Sequence, residues 1–181
     1  MTRNVPITFS AALATATLLT LAACDNSAPT TDTTDPSAGT GQPTWVLAAA
    51  PADAISITDA KANAAEGDTI VLRGIIGGEA KPMSADSPVL RVVDAGLFNR
   101  CTAEADHCST PWDYCCADPA DLVANSATIQ IVDADGNAIS GGPSVGGLEP
   151  LDEIIVVGTV APRPSSDVLI VKANGVHRIG G

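Results

Sequence analysis

Five segments of the chain have the composition of β-strands, because they are rich in Val and Ile and are bounded by Gly, Pro, Asp or Asn. In the first segment, Ile70, Leu72 and Ile76 fall on one side, which predicts one buried face. No connection has room for a crossover helix except around residues 116–125, so antiparallel pairing is expected. The predicted strands are Thr69–Ile76, Val89–Val93, 127–132, Glu153–Val160 and 168–173, the last with a continuation at 176–179.

Two local signals modify this strand pattern. Residues 56–67 predict a short helix before the first strand, with Ser56 or Thr58 as its cap and Ala and Lys in its interior. Gly67 can take the left-handed conformation that ends such a helix. Gly74, in the middle of the first strand, is typical of a bend or bulge in a closing sheet.

The order and spacing of the strand signals resemble the OB-fold, a small five-stranded Greek-key barrel. The resemblance rests on the phrases VLRGI at 71–75, IVDADG at 131–136, IVVGTV at 155–160 and LIVKA at 169–173. One departure is that residues 137–150, where many OB-folds carry a helix, are rich in Gly, Ser and Pro. The predicted fold is therefore mainly β, an OB-fold-like barrel with one short helix and a Cys-rich loop insertion at 99–126. Another small barrel or sandwich is the alternative.

The first residues show a different pattern, an apolar run from 7 to 21 preceded by Arg3. The run ends in LAAC at 21–24, which resembles the lipobox of a bacterial lipoprotein signal. The run is too short and too weakly flanked to be kept as a membrane span. The resemblance implies that the signal peptide 1–23 is removed and that the secreted protein is held at a membrane of the cell envelope by acyl chains such as palmitate on Cys24.

Two features follow the lipidation site. Asp25 resembles the inner-membrane retention signal of some Gram-negative lipoproteins, which is a weak indication for the inner rather than the outer membrane. Residues 24–44 hold almost only small and polar residues after the cysteine, so they cannot bury enough apolar surface to fold and predict a flexible tether. Residues 45–181 then remain as one domain of ordinary size.

Charge and aromatic content argue against nucleic acid. The chain has 9 basic and 21 acidic residues, a net charge of −12, and the loss of Arg3 with the signal leaves −13. The remaining basic residues are scattered, with no two adjacent, whereas binding of phosphates needs a cluster of them. No aromatic residue lies in a predicted strand, so the stacking platform of many OB-folds is not expected. Membrane attachment through the lipid, with a protein or glycan partner for the domain, is compatible with these features.

With Cys24 assigned to the lipid, four cysteines remain, all in one loop. An even number of cysteines in an oxidising compartment predicts two disulfides. A bridge between the neighbours Cys115 and Cys116 would be strained, so the expected pairs join Cys101 and Cys108, in either order, with Cys115 and Cys116. Such bridges would order an insertion that holds few apolar residues.

The same loop offers an alternative set of ligands for zinc or Cu(I), which prefer thiolate and imidazole. These ligands are Cys101, His107, Cys108, Cys115 and Cys116. Asp106 or Asp113 would orient them through hydrogen bonds. Against a metal, the six-residue gaps between the first three cysteines exceed those of zinc knuckles, and adjacent ligands crowd a tetrahedron. A redox-active thiol pair is less favoured still, because the chain has no C-x-x-C.

The segment TPWDYCC at 110–116 resembles a motif of uncharacterised bacterial secreted proteins, which implies no particular activity. Trp112 and Tyr114 offer two alternatives. They would either form an exposed surface for a partner, because aromatic side chains bring large contact area, or fill the gap between loop and barrel. The packing role is the preferred one.

The remaining motifs indicate turns rather than chemistry. Residues 133–137 hint at a calcium loop, but the glycine is misplaced and the distal Glu is missing, so a hairpin turn is predicted. His177 has no acid or nucleophile near it in sequence and is expected on the surface or at an edge. No nucleophile elbow, phosphate-binding glycine loop or H-E-x-x-H motif is present, so no enzyme is predicted.

The sequence therefore predicts a non-catalytic, lipid-anchored cell-envelope protein with an OB-like binding or structural domain and no cofactor. The alternative is an extracytoplasmic protein that binds zinc or copper through the cluster at 101–116.

Overall fold

The structure is a computed structural model that describes residues 41–103 and 108–180. The predicted signal peptide, Cys24, most of the predicted tether and His107 therefore lie outside the described residues. Within the described part of the chain, no helix is long and apolar enough to cross a membrane.

Five strands form a closed barrel in the order β1-β2-β3-β5-β4. Four neighbouring pairs are antiparallel as expected, but the expectation is wrong for β3 and β5, which pair in parallel because closure of the sheet brings them together. This is the Greek-key path of an OB-like barrel. The predicted fold class is confirmed. The strands are β1 Thr69–Ile76, β2 Val89–Val93, β3 Ser126–Ile131, β4 Glu153–Val160 and β5 Ile170–Arg178.

The strand predictions are confirmed in detail, with two differences. β3 begins and ends one residue earlier than expected. β5 joins the two predicted pieces into one strand that begins two residues later and ends one residue earlier than they do. The irregularity expected at Gly74 lies instead between β4 and β5, where the register shifts between Val157 and Gly158. Gly74 marks a close approach, because a Cβ there would stand 3.0 Å from the Val93 carbonyl oxygen.

Helix α1 spans Ile57–Asn63 and begins where the sequence predicts, with the Ser56 hydroxyl accepting the Asp59 N–H at 2.9 Å. It ends four residues before Gly67, whose positive φ of 87° serves the turn into β1 instead. Two shorter helices, α2 Arg100–Ala103 and α3 Pro119–Ala124, lie between β2 and β3, and short 3-10 turns occupy Pro111–Asp113 and Pro143–Gly146.

The core is the inside of the barrel, filled by the inward-facing residues of all five strands. Ile57 and Ala60 of α1 and Trp45 cover it from outside the sheet. Trp45 packs so closely on Gly146 that a Cβ at that glycine would overlap its ring. The largest fully buried side chains are Ile57, Leu72, Ile76, Leu90, Ile129, Ile131, Ile154, Val92, Val93, Val156, Val160 and Val171.

Two charged side chains from distant parts of the chain hold α1 at its ends. At the N-terminal end, the buried Asp94 carboxylate accepts the N–H groups of Ile57 at 2.9 Å and Thr58 at 3.3 Å. At the C-terminal end, the Arg163 guanidinium donates to the carbonyls of Ala64 at 2.7 Å and Lys61 at 3.0 Å. Each end of a helix leaves backbone groups without intrahelical partners, and each charge has the sign that the helix dipole favours.

Replacing Asp94 with Ala removes the acceptor of three N–H groups, those of Ile57, Thr58 and Gly96, and the bond to Ile57 is buried. We expect the free energy of unfolding to fall by about 2 kcal/mol, measured by denaturant titration. Asp86→Ala, at an exposed aspartate, is the matched control and should change stability by less than about 0.5 kcal/mol. Equal effects of the two substitutions would contradict the role of Asp94.

Candidate metal centre

Three cysteines of the insertion between β2 and β3 converge on one point. The Sγ atom of Cys115 lies 3.4 Å from that of Cys101 and 3.8 Å from that of Cys108. One carboxylate oxygen of Asp113 joins them, so that the four ligand atoms all lie within 4.8 Å of one another. Cys101 is buried, Cys108 and Asp113 are half-buried and Cys115 is exposed, so the cluster opens to solvent on one side.

Helix α2 positions the buried member of the cluster. The Asn99 side-chain oxygen accepts the N–H of Cys101 at 2.9 Å and that of Thr102 at 3.3 Å, which caps the start of the helix. The Asn99 amide nitrogen donates to the Pro111 carbonyl at 2.8 Å. The Asn99 side chain thus joins α2, which carries Cys101, to the turn at 111–113, which precedes Cys115.

Hydrogen bonds to the Asp113 carboxylate hold the turn at 110–115 in place. Its Oδ2 atom accepts the Thr110 hydroxyl at 2.8 Å, and its Oδ1 atom accepts the Cys115 N–H at 2.8 Å. These bonds close the 3-10 turn and hold the carboxylate beside the Cys115 thiol.

Tyr114 fixes this turn to the barrel. Its side chain is only 2% exposed, and its backbone takes a left-handed conformation with φ of 57°. The ring packs on Gly77, where a Cβ would stand 3.1 Å from the ring and 2.7 Å from the Trp112 carbonyl oxygen. The neighbouring Gly78 N–H donates to that same oxygen at 2.8 Å. Only a residue without a side chain at position 77 allows this approach.

The surroundings shift the pKa values of two members of the cluster and of the neighbouring Tyr114. Hydrogen bonding with Cys101, then with Asp113 and Cys108, raises the pKa of the Cys115 thiol above its usual range. Partial burial acts to raise the pKa of Asp113, but hydrogen bonds from Thr110 and Cys115 outweigh it and hold that pKa below its ordinary value. Burial raises the pKa of Tyr114. Since metals bind thiolates, an ion entering the cluster would displace protons from it.

The side chains that the structure brings together differ from the ligand set that the sequence suggests. Cys101, Cys108 and Cys115 are brought together, while Cys116 lies 3.9 Å from Cys115 and is not part of the compact set. Asp113, expected only to orient other ligands, lies in the compact set and could itself supply a ligand atom. Its position two residues before Cys115, where an aspartate typically bonds the backbone two residues on, is the signal that could have identified it.

All four described cysteines are free thiols, so the two predicted disulfides are not formed among the described residues. The separation of 3.4 Å between Cys101 and Cys115 exceeds the S–S bond length of about 2.05 Å. The thiols are nevertheless close enough that the pairing of Cys101 with Cys115 needs only a small movement, whereas Cys115 and Cys116 remain 3.9 Å apart.

The other predicted site residues make packing contacts and hydrogen bonds within the protein. Tyr114 fills the gap between loop and barrel and is not available to a partner, while the half-buried Trp112 donates from its indole to the Ala80 carbonyl at 3.2 Å. Asp133 accepts the N–H groups of residues 135 and 137 at 3.0 and 2.9 Å, as the predicted hairpin turn requires. His177 is half-buried on β5, with Nδ1 3.0 Å from the Leu47 carbonyl oxygen.

Comparison with known proteins adds little to this description. No protein-family model matches the chain, and no curated protein matches it. Among solved structures, the chain is similar to one described as "a putative aspartyl-tRNA synthetase from Leishmania major Friedlin", at 12% sequence identity and a TM-score of 0.36. The match covers 77% of this chain and 23% of that chain. So low a score carries no argument about fold or function.

The contact at Gly77 predicts the effect of one added methyl group. Gly77→Ala would overlap the Trp112 carbonyl oxygen, so the loop must shift, and we expect a loss of about 1–3 kcal/mol in the free energy of unfolding. Gly96→Ala is the control, because its Cβ would stand 3.4 Å from the Asp94 carboxylate, an ordinary contact. Denaturant titration of both variants compares them, and an unchanged stability for Gly77→Ala would contradict the packing described.

Proposed function

We propose that the protein is a non-catalytic, lipid-anchored cell-envelope protein whose barrel presents a binding site for zinc or copper. The observation that carries the metal site is the compact set formed by Cys101, Cys108, Asp113 and Cys115, whose ligand atoms all lie within 4.8 Å of one another. Thiolate sulfur is the ligand that both zinc and Cu(I) favour in proteins.

The surroundings of the cluster support reversible binding of an ion. Cys101 is 3% exposed and is held by the cap of α2, so one ligand is fixed in the protein. Cys115 is exposed, which leaves a path by which an ion can enter. A site with one buried, fixed thiol at Cys101 and one solvent-exposed thiol at Cys115 is compatible with storing a metal ion or passing it on.

The anchor and the compartment are supported by sequence alone. The tetrapeptide LAAC at 21–24 supports lipidation of Cys24, and the polar residues that follow support a tether between the lipid and the barrel. The absence of a catalytic motif supports a binding rather than an enzymatic role. The net charge of −12 supports a site for cations rather than for nucleic acid.

The test is the metal content of the full chain, kept reduced and supplied with zinc or copper. We expect close to one equivalent of metal by elemental analysis. Cys115→Ser should bind the metal far more weakly and lose most of it on dialysis, because only two sulfurs and one carboxylate remain and water must supply the fourth ligand. Cys116→Ser, an equally exposed neighbour outside the compact set, should keep the stoichiometry. Metal at background level in the wild-type chain would contradict the proposal.

A second candidate is a structural role in which the loop is closed by disulfides, supported by the 3.4 Å separation of the Cys101 and Cys115 sulfurs. Closing a loop of this length would contribute about 3 kcal/mol.

Protein purified from an oxidising compartment distinguishes this candidate from the metal site. If disulfides close the loop, the intact mass will be lower than that of the reduced chain by the mass of two hydrogens per disulfide. Peptide mapping will then link Cys101 to Cys115. Four free thiols in such material would exclude the structural candidate.

A further inference from the structure

We infer that the cluster is a four-coordinate site for a divalent ion of the zinc class and that Asp113 is the residue that discriminates against Cu(I). This inference rests on the proposed metal-binding function and deepens it by naming the ion. The juxtaposition of one carboxylate with three thiols carries it.

The Asp113 carboxylate is fixed in place before any ion arrives. Its two oxygens accept different donors, the Thr110 hydroxyl on Oδ2 and the Cys115 N–H on Oδ1, each at 2.8 Å. A carboxylate has about four lone-pair sites on its two oxygens, so these two bonds leave sites free to bind a cation. The carboxylate is therefore oriented rather than neutralised, which is the arrangement common among ligands of metal centres.

The two sulfur separations measured from Cys115 are close to those of a metal site with thiolate ligands. Zinc–sulfur bonds are about 2.3 Å, so two sulfurs of a tetrahedron stand about 3.8 Å apart, whereas a planar three-sulfur site with the same bond length separates them by about 4.0 Å. The separations from Cys115 are 3.4 Å to Cys101 and 3.8 Å to Cys108. Only small shifts are needed to place an ion between the three sulfurs and the carboxylate oxygen.

The chemistry of the ligands separates the two candidate ions. Cu(I) is soft and is satisfied by thiolates, so a carboxylate adds little to its binding. Zinc is a borderline-soft ion that binds carboxylate oxygen as well as thiolate sulfur, and it has four ligands in its structural sites. A set of three thiolates and one carboxylate carries four negative charges, which a divalent ion offsets better than a monovalent one.

Cys116 is the rival for the fourth ligand. Its sulfur lies 3.9 Å from that of its neighbour Cys115, yet it does not join the set in which every ligand atom is close to every other. Asp113 does join that set, so the geometry favours the carboxylate.

The experiment compares the affinities of the reduced full chain for Zn²⁺ and for Cu(I), each by competition with a chelator of known affinity. Asp113→Asn keeps the shape of the side chain and one oxygen acceptor but removes the charge. We expect the Zn²⁺ affinity of this variant to fall at least about tenfold and the Cu(I) affinity to stay within about threefold. Asp135→Asn removes the charge of an exposed aspartate in the hairpin after β3 and should change neither affinity.

The outcomes separate the two levels of the proposal. A wild-type chain that binds neither ion contradicts the metal-binding function itself. A wild-type chain that binds Zn²⁺, with an Asp113→Asn variant that binds it equally well or loses both ions equally, contradicts only the role of Asp113. A loss of Zn²⁺ affinity in Cys116→Ser as large as that expected for Asp113→Asn would also overturn it, because Cys116 would then be the fourth ligand.

A measurement on the wild-type chain does not depend on how the variants fold. Co²⁺ replaces zinc in tetrahedral sites, and its thiolate charge-transfer absorption grows with the number of bound sulfurs. An intensity corresponding to three thiolates, with visible bands typical of a tetrahedron, is expected. An intensity corresponding to four thiolates, or bands typical of six-coordinate Co²⁺, would overturn the inference.

Discussion

The cysteine insertion depends on one close contact with the barrel, the packing of Tyr114 on Gly77. The loop has few apolar residues of its own, and Tyr114, at 2% exposure, is the side chain that it buries against the barrel beside the cluster. Because the turn that precedes Tyr114 carries Asp113 and the residue that follows it is Cys115, burial of the ring also sets where these two side chains lie. Asn99 then links this turn to α2 and to Cys101. The site is thus built from local turns that one aromatic anchor attaches to a rigid sheet.

The barrel could be predicted because its strands carry their information locally. Ile70, Leu72 and Ile76 alternate along β1, and all three are buried as the pattern requires. The parallel pairing of β3 with β5 could not be read in the same way, since it joins residues about forty positions apart through the closure of the sheet. The caps of α1 by Asp94 and Arg163 are equally non-local, because they depend on the barrel bringing distant segments together.

For the candidate site, too, the sequence predicted the local part, namely which residue types would meet, but not their final arrangement. Cysteines crowded into one loop indicated that they would meet, and Cys101, Cys108 and Cys115 do. Sequence spacing could not show that Cys116 would be left out or that Asp113 would be drawn in. Both outcomes follow from the turn at 110–115, whose direction is set by the hydrogen bonds of the Asp113 carboxylate and by the left-handed backbone of Tyr114. The residue types in the loop indicated a thiol cluster, whereas the direction in which each side chain points could be learned only from the folded structure.

The two candidate roles of the loop compete for the same atom. The sulfur of Cys115 lies within 3.8 Å of both Cys101 and Cys108, so a disulfide to either one consumes two of the three thiols. One thiol and one carboxylate are too few ligands for a structural zinc site. In a single molecule, Cys115 can therefore either form a disulfide or bind a metal ion, but not both at the same time. A bound ion in turn stabilises the reduced form by mass action, because only that form binds it. If Cys24 is an anchor outside the cytoplasm, the order in which metal and oxidant reach Cys115 decides the role of the loop, while the barrel and the Tyr114 contact remain the same in both states.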